Sequence, residues 1–144
     1  MIAIIDYDAG NIKSVEKALK RLGQEVKVTR DREEILYADK VILPGVGSFG
    51  DAMEKLVNYG LKDVIYEVVD KKIPFLGICL GMQLLFERSD ETPGVDGLGI
   101  LKGEILPDLR FRTWDGIHWN FTGMENYLKV FPVNRMCILS ILII

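Results

Sequence analysis

The chain has 144 residues, 49% hydrophobic and 27% charged, with a formal net charge of −3. That is one globular domain long enough to bury a sizeable core, with no basic face for displacing counterions from nucleic acid. Its two cysteines, Cys79 and Cys137, lie far apart and form no Cys-x-x-Cys pair. Neither a disulfide nor zinc is called for, and a reducing cytoplasm is the expected setting.

The opening Met1-Ile2-Ala3-Ile4-Ile5 has no basic flank and stops at Asp6, so it reads as a first strand and not a signal peptide. A polar loop, Asp6 to Gly10, follows. Ile12, Val15, Leu19 and Leu22 then form one apolar stripe at helical spacing, with Asn11 as the expected N-cap and Gly23 just past the end. Glu25 to Thr29 alternates with period two, which suits a strand near a sheet edge with one wet face. Asp31 and Glu34 have capping-box spacing and predict a short helix to Tyr37. Val41-Ile42-Leu43 reads as a third, buried strand.

Pro44-Gly45-Val46-Gly47-Ser48-Phe49-Gly50 holds three glycines in seven residues. Such a loop can turn backbone N–H groups toward an anion, although it lacks the Gly-Lys-Ser/Thr ending of a nucleotide loop; a plain turn remains the alternative. Helices are predicted over Asp51–Asn58 and Leu61–Asp70, broken at Gly60. Strand and helix thus alternate four times, the pattern of an open parallel α/β sheet. Ligands of such sheets sit beyond the carboxyl ends of the strands, where the loops after strands three and four both leave.

The fourth strand runs from Pro74 into Gly77-Ile78-Cys79-Leu80-Gly81, and Met82, Leu85 and Phe86 continue at helical spacing. A cysteine with a glycine two residues to each side has the layout of a nucleophile elbow, a tight strand-to-helix turn that lifts one side chain above the sheet edge. A thiol there meets unpaired N–H groups, which favour its thiolate. The N–H of Leu80 points where an oxyanion would form, and Gln83 falls on the same helical face as Cys79. An inert core cysteine satisfies the same local pattern, so the motif alone leaves both readings open. Gly99 to Leu106 reads as a further strand. Residues 108–135 show no sustained period, and the final apolar run, 138–144, is far shorter than the ~20 residues of a membrane helix and reads as a buried strand or an aggregation-prone end.

Four segments carry a resemblance to a known family: Ile5-Asp6-Tyr7-Asp8-Ala9-Gly10-Asn11, Leu43 to Gly50, Gly77 to Phe86, and Pro93-Gly94-Val95. The chain resembles the glutaminase subunits of imidazole glycerol phosphate synthase, class I glutamine amidotransferases of histidine biosynthesis. The match covers residues 1–106, the N-terminal part of such a domain, and leaves 107–144 as a non-matching tail. It implies a three-layer α/β fold with a flavodoxin-like open parallel sheet of at least five strands, incomplete at the C-terminal end. It also implies that Cys79 attacks the glutamine amide, giving a thioester that water hydrolyses. Val46 and Leu80 would supply oxyanion N–H groups, while Gly45, Gly47 and Gln83 would hold glutamine. The loop glycines would permit a peptide flip, and Asn11 would lie toward a (β/α)₈-barrel cyclase that receives the ammonia. No metal or organic cofactor is implied.

One feature departs from the family. Its general base is a histidine followed by Pro and Glu, and no His-Pro-Glu occurs in these 144 residues. The sole histidine, His118, stands in Gly116-Ile117-His118-Trp119-Asn120 and echoes a different family segment, so it is expected to be a loop or core residue. Poor or absent glutamine hydrolysis is therefore expected. Two other functions stay open at this point: a non-catalytic cyclase-binding subunit, and another α/β hydrolase with a cysteine elbow.

Overall fold

In the computed structural model the described residues are 1–105 and the backbone of 141–143. His118, Cys137 and the expected boundary after residue 106 lie outside them. The elements run β1 (Ile2–Ile5), α1 (Ile12–Arg21), β2 (Val26–Thr29), α2 (Arg32–Leu36), β3 (Lys40–Leu43), α3 (Phe49–Asn58), α4 (Leu61–Asp70), β4 (Phe75–Ile78), α5 (Leu80–Gln83), β5 (Arg88–Ser89), β6 (Glu104–Ile105) and β7 (Ile141–Ile143). The main sheet has the order β2-β1-β3-β4-β7. Its first four strands are parallel, with Ile4 opposite both Val28 and Ile42, and Ile42 opposite Leu76.

Side-chain alternation splits the core between the two faces of this sheet. Ala3, Ile5, Val41, Leu43 and Phe75 face one way and pack with Ile35, Leu56, Leu61, Ile65 and Val68 from α2, α3 and α4. Ile2, Ile4 and Ile42 face the other way, under Ile12, Val15 and Leu19 of α1. Burying each large apolar side chain stabilises the fold by roughly 1.5–3 kcal/mol, so the α2–α4 face carries most of the driving force. Among the described residues no helix is long and apolar enough to cross a membrane.

Local chemistry accounts for several boundaries. Gly23 and Gln24 close the end of α1 by donating to the carbonyls of Lys20 and Leu19 at 3.0 and 3.1 Å. The Asp31 carboxylate accepts from the Glu34 N–H at 3.0 Å. The reciprocal half of the expected capping box does not form, because Glu34 bonds Lys27 and Thr29 instead, both at 2.6 Å.

The structure corrects four expectations. The fifth strand, β7, runs antiparallel to β4, pairing Gly77 with Leu142; an antiparallel strand is readily accommodated at the edge of an otherwise parallel sheet. The predicted strand Gly99–Leu106 shrinks to Glu104–Ile105, which pairs with β5 in a separate two-stranded sheet. Gly99 and Gly103 adopt φ of 62° and 116°, which no extended strand admits. The helix after Cys79 stops at Gln83, since the carbonyls of Leu84, Leu85 and Phe86 accept from Leu98, Leu101 and Gly99. Asn11 occupies the N-cap position with left-handed φ of 69° and no side-chain cap; side-chain capping requires extended backbone there.

Replacing Asp31 by Ala removes the side chain that caps α2. The expected cost is about 1 kcal/mol, read as a lower urea midpoint at unchanged slope.

Candidate active site

Cys79 closes β4 with φ 53° and ψ −121°. A non-glycine residue in such a conformation stores roughly 1–3 kcal/mol of strain, so the surroundings must impose it. They do so through close backbone packing on both sides. A Cβ on Gly77 would lie 2.7 Å from the Cα of Met82, and one on Gly81 would lie 1.9 Å from the carbonyl oxygen of Leu43. The strand, the turn and the end of β3 therefore interlock only because both flanking residues are glycine. The Cys79 carbonyl accepts from the N–H groups of Met82 and Gln83 at 3.0 and 3.2 Å, which starts α5.

Helix geometry leaves the N–H groups of Leu80 and Gly81 without an intrahelical partner. Because α5 is a single turn of four residues, the favourable field at the thiol comes from these individual N–H groups and not from a long helix dipole. The Cys79 side chain is half-buried. Gln83 is buried, 7% exposed.

The glycine loop after β3 packs directly on this turn. A Cβ on Gly45 would fall 2.4 Å from the Tyr7 Oη, 2.8 Å from the Gly81 nitrogen and 3.0 Å from the Leu80 Cβ. Pro44 and Gly45 are buried, whereas Val46 is 51% exposed and Gly47 adopts φ 103°. The Ser48 Oγ caps α3 by accepting from the Asp51 N–H at 3.4 Å. The first loop closes the group: a Cβ on Gly10 would lie 2.7 Å from the Val46 Cγ2. Cys79, Leu80, Gly45, Val46, Gly47 and the Gly10–Asn11 turn thus share the carboxyl edge of the sheet. A nucleophile, nearby backbone N–H donors and an exposed loop are what acyl transfer needs.

Sequence reasoning passed over four side chains at this edge. Tyr7, read as part of a polar loop, is 1% exposed, and its Oη donates to the Pro44 carbonyl at 2.7 Å. Burial pushes its phenol well above the usual range, so it remains a proton donor. Arg30 pairs with Asp6 at 3.0 Å and Asp8 at 2.8 Å and lies over the Tyr59 ring, 4.4 Å from its centroid. The Tyr59 hydroxyl also donates to Asp8, and this bond, followed by those from Arg30, holds the Asp8 carboxyl below its ordinary value. Thr92 Oγ1 accepts from the Gly50 N–H at 3.3 Å.

A cleft of about 450 Å³ lies beside the site, between α3 and the Thr92–Asp96 turn, lined by Asp51, Glu54, Lys62 and Val95 among others. It does not include Cys79. Among the described residues no group of three or more His, Cys, Asp or Glu side chains is placed to hold a metal ion.

Comparison with known proteins accords with this geometry. A profile of the family described as "Glutamine amidotransferase class-I" matches residues 3–103. The chain is 52% identical over 120 residues to imidazole glycerol phosphate synthase subunit HisH of Methanocaldococcus jannaschii, an alignment covering 83% of this chain and 60% of that one. It is 64% identical over 105 residues to the HisH subunit of Bacillus cereus strain G9842, covering 73% and 50% respectively. The chain thus spans about half to three fifths of the length of these relatives. A solved structure titled "Crystal structure of glutamine amidotransferase" superposes with a TM-score of 0.65 at 25% identity, over 78% of this chain and 59% of the other.

Gly81→Ala sets a methyl group against the Leu43 carbonyl, a backbone atom that cannot swing aside. Overpacking of this kind costs about 1–3 kcal/mol or more, so chemical denaturation should show a clear loss of stability. An unchanged midpoint would show that the turn does not depend on this close approach.

Proposed function

This chain belongs to the class I glutamine amidotransferase family, and on that premise we propose that it is the glutaminase component of an imidazole glycerol phosphate synthase in histidine biosynthesis. The observation that carries the reading is the strained backbone of Cys79, held at φ 53° against the Gly45–Gly47 loop. Strain of this kind persists where a side chain must be presented, and an inert core cysteine gives no reason for it.

In the proposed reaction the Cys79 thiolate attacks the side-chain carbonyl carbon of glutamine. The new S–C bond pushes the carbonyl electrons onto oxygen, and the N–H groups of Leu80 and Val46 receive that charge. Collapse breaks the C–N bond and releases ammonia with a proton supplied to it, leaving a glutamyl thioester. Water then attacks the thioester and yields glutamate and the thiol. Gly45, Gly47 and Gln83 hold the substrate, Gln83 through its buried amide. Asn11, at the turn that touches Val46 through Gly10, faces a (β/α)₈-barrel cyclase, and that partner shields the released ammonia from water. The residues named suffice to bind and polarise glutamine without a metal or organic cofactor.

One observation favours a second reading. The 144 residues contain a single histidine, His118, outside any His-Pro-Glu context. A positioned acid–base group contributes about 10²–10⁴-fold, so these 144 residues taken by themselves would dock on the cyclase and bind glutamine while turning it over slowly. The oxyanion donors and the nucleophile still provide some rate enhancement on their own.

Two experiments test these readings. A glutamine-mimicking electrophile should modify Cys79 in preference to Cys137 by peptide mapping, with glutamine protecting; equal modification of both thiols in folded protein would refute the elbow. With saturating barrel cyclase and its nucleotide ligand, turnover by these 144 residues should lie about 10²–10⁴-fold below that of a full-length relative such as the HisH subunit of Bacillus cereus strain G9842. Full turnover abolished by His118→Ala would make His118 the base. Failure to bind the cyclase at micromolar concentration would remove the partner from the proposal.

A further inference from the structure

We propose that Tyr7, with Thr92 at the far end, is a positioning residue that tethers the Gly45–Gly47 loop so that its N–H groups face the Cys79 elbow; this rests on the glutaminase reading. The loop begins where β3 ends, at Pro44, a residue with no N–H of its own. The Pro44 carbonyl is buried and accepts from Tyr7 Oη at 2.7 Å. That carbonyl and the Gly45 N–H belong to one rigid peptide plane. Fixing the oxygen therefore fixes the direction in which the chain enters the loop.

Tyr7 reaches this point from the end of β1, the strand paired beside β3. Its hydroxyl occupies the space that a Cβ on Gly45 would take, at 2.4 Å, so the tyrosine and the glycine fit as a pair. The ring is 1% exposed and has no latitude to swing away. At the other end Ser48 caps α3, and the Gly50 N–H donates to Thr92 Oγ1 at 3.3 Å. A Cβ on Gly50 would stand 2.7 Å from the Thr92 Cγ2, so the second tether is also a close contact. Between the tethers Val46 is 51% exposed and Gly47 takes φ 103°. The arrangement is a strap fixed at both ends, with only the middle peptide able to turn.

The test separates donor alignment from the nucleophile itself. In acylation by the γ-(4-nitrophenyl) ester of glutamate, the Cys79 Sγ–C bond forms, the ester C–O bond breaks and 4-nitrophenolate leaves without needing a proton. The first-turnover burst therefore reads the oxyanion donors independently of any general acid. Alkylation by iodoacetamide, which forms an S–C bond and releases iodide with no oxyanion, reads the thiolate alone.

Loss of a whole oxyanion donor costs about 10²–10³-fold, so a displaced one is expected to slow the burst by about tenfold or more. Tyr7→Phe should show that loss while the iodoacetamide rate stays within about twofold. Should Tyr7→Phe fail to fold, Thr92→Val tests the strap from its other end and is expected to show the same split. Wild-type bursts reproduced by both variants would overturn the proposal and leave the glutaminase reading intact. Equal slowing of both reagents would overturn it too, by making the residues merely structural. Absence of any wild-type burst that prior alkylation of Cys79 blocks would overturn the glutaminase reading and this proposal together.

Discussion

The backbone of Cys79 is the constraint on which the rest of this edge depends. A side chain with left-handed φ must be held there by its neighbours, since the conformation costs roughly 1–3 kcal/mol. Close backbone packing does much of the holding, beside the two hydrogen bonds that the Cys79 carbonyl accepts. Gly77 sits on Met82, and Gly81 sits on the carbonyl of Leu43. Any Cβ at either place would push β4 and the start of α5 away from β3. The turn can therefore be made only by a sheet whose third and fourth strands are already in register, Leu43 opposite Gly77. Burial of Val41, Leu43 and Phe75 against α3 and α4 stabilises that register. Hydrophobic free energy gained far from the thiol thus keeps the thiol in place.

The loops above the sheet divide along the same lines. Where they touch the elbow they are buried and fixed, as at Pro44, Gly45 and Tyr7. Farther out they are polar and cross-linked by charge: Arg30 joins Asp6 and Asp8, and Tyr59 joins Asp8 from the end of α3. Exposed pairs of this kind contribute little stability individually. Their effect is geometric, since they tie the first loop to β2 and α3 while Gly10 rests on Val46. The route from Arg30 to the Val46 side chain runs through contacts of one short segment, residues 6–11.

Much of this was legible in the sequence, and the exceptions share a cause. The four parallel strands and four main helices announced themselves through apolar periodicity and punctuation, because each buries one face against the same sheet. The elbow was legible because its glycines are required by backbone contacts that any such turn must make. The extent of the elbow helix was not. Met82, Leu85 and Phe86 carry helical spacing, yet Leu98, Gly99 and Leu101 take the carbonyls of Leu84 to Phe86, and nothing local foretells a partner some fifteen residues away. The Gly99–Leu106 strand failed for the opposite reason: its apolar residues look extended, while two glycines adopt φ that a strand excludes. Tyr7 was hidden by its company, since two acids beside it suggested solvent and only the fold turns the ring inward.

The distribution of exposure at this edge bears on the proposed dependence of the site on a partner. The glycines packed around the Cys79 turn are buried, so folding alone sets its backbone. Val46 and Gly47 are exposed, and nothing within 4 Å would meet a Cβ built on Gly47. A donor on an unpacked peptide, open to water, cannot be pre-organised as well as one on a packed peptide, and much of electrostatic catalysis lies in that pre-organisation. Water also screens the charge that such a donor would stabilise. A surface laid over Val46 would remove the water and reduce the accessible orientations of this one peptide, leaving the tethers at either end unchanged. Coupling between a partner and the thiol chemistry then requires no long pathway and no movement of Cys79. It requires one exposed peptide between two fixed ends, bordered by the loop that carries Asn11.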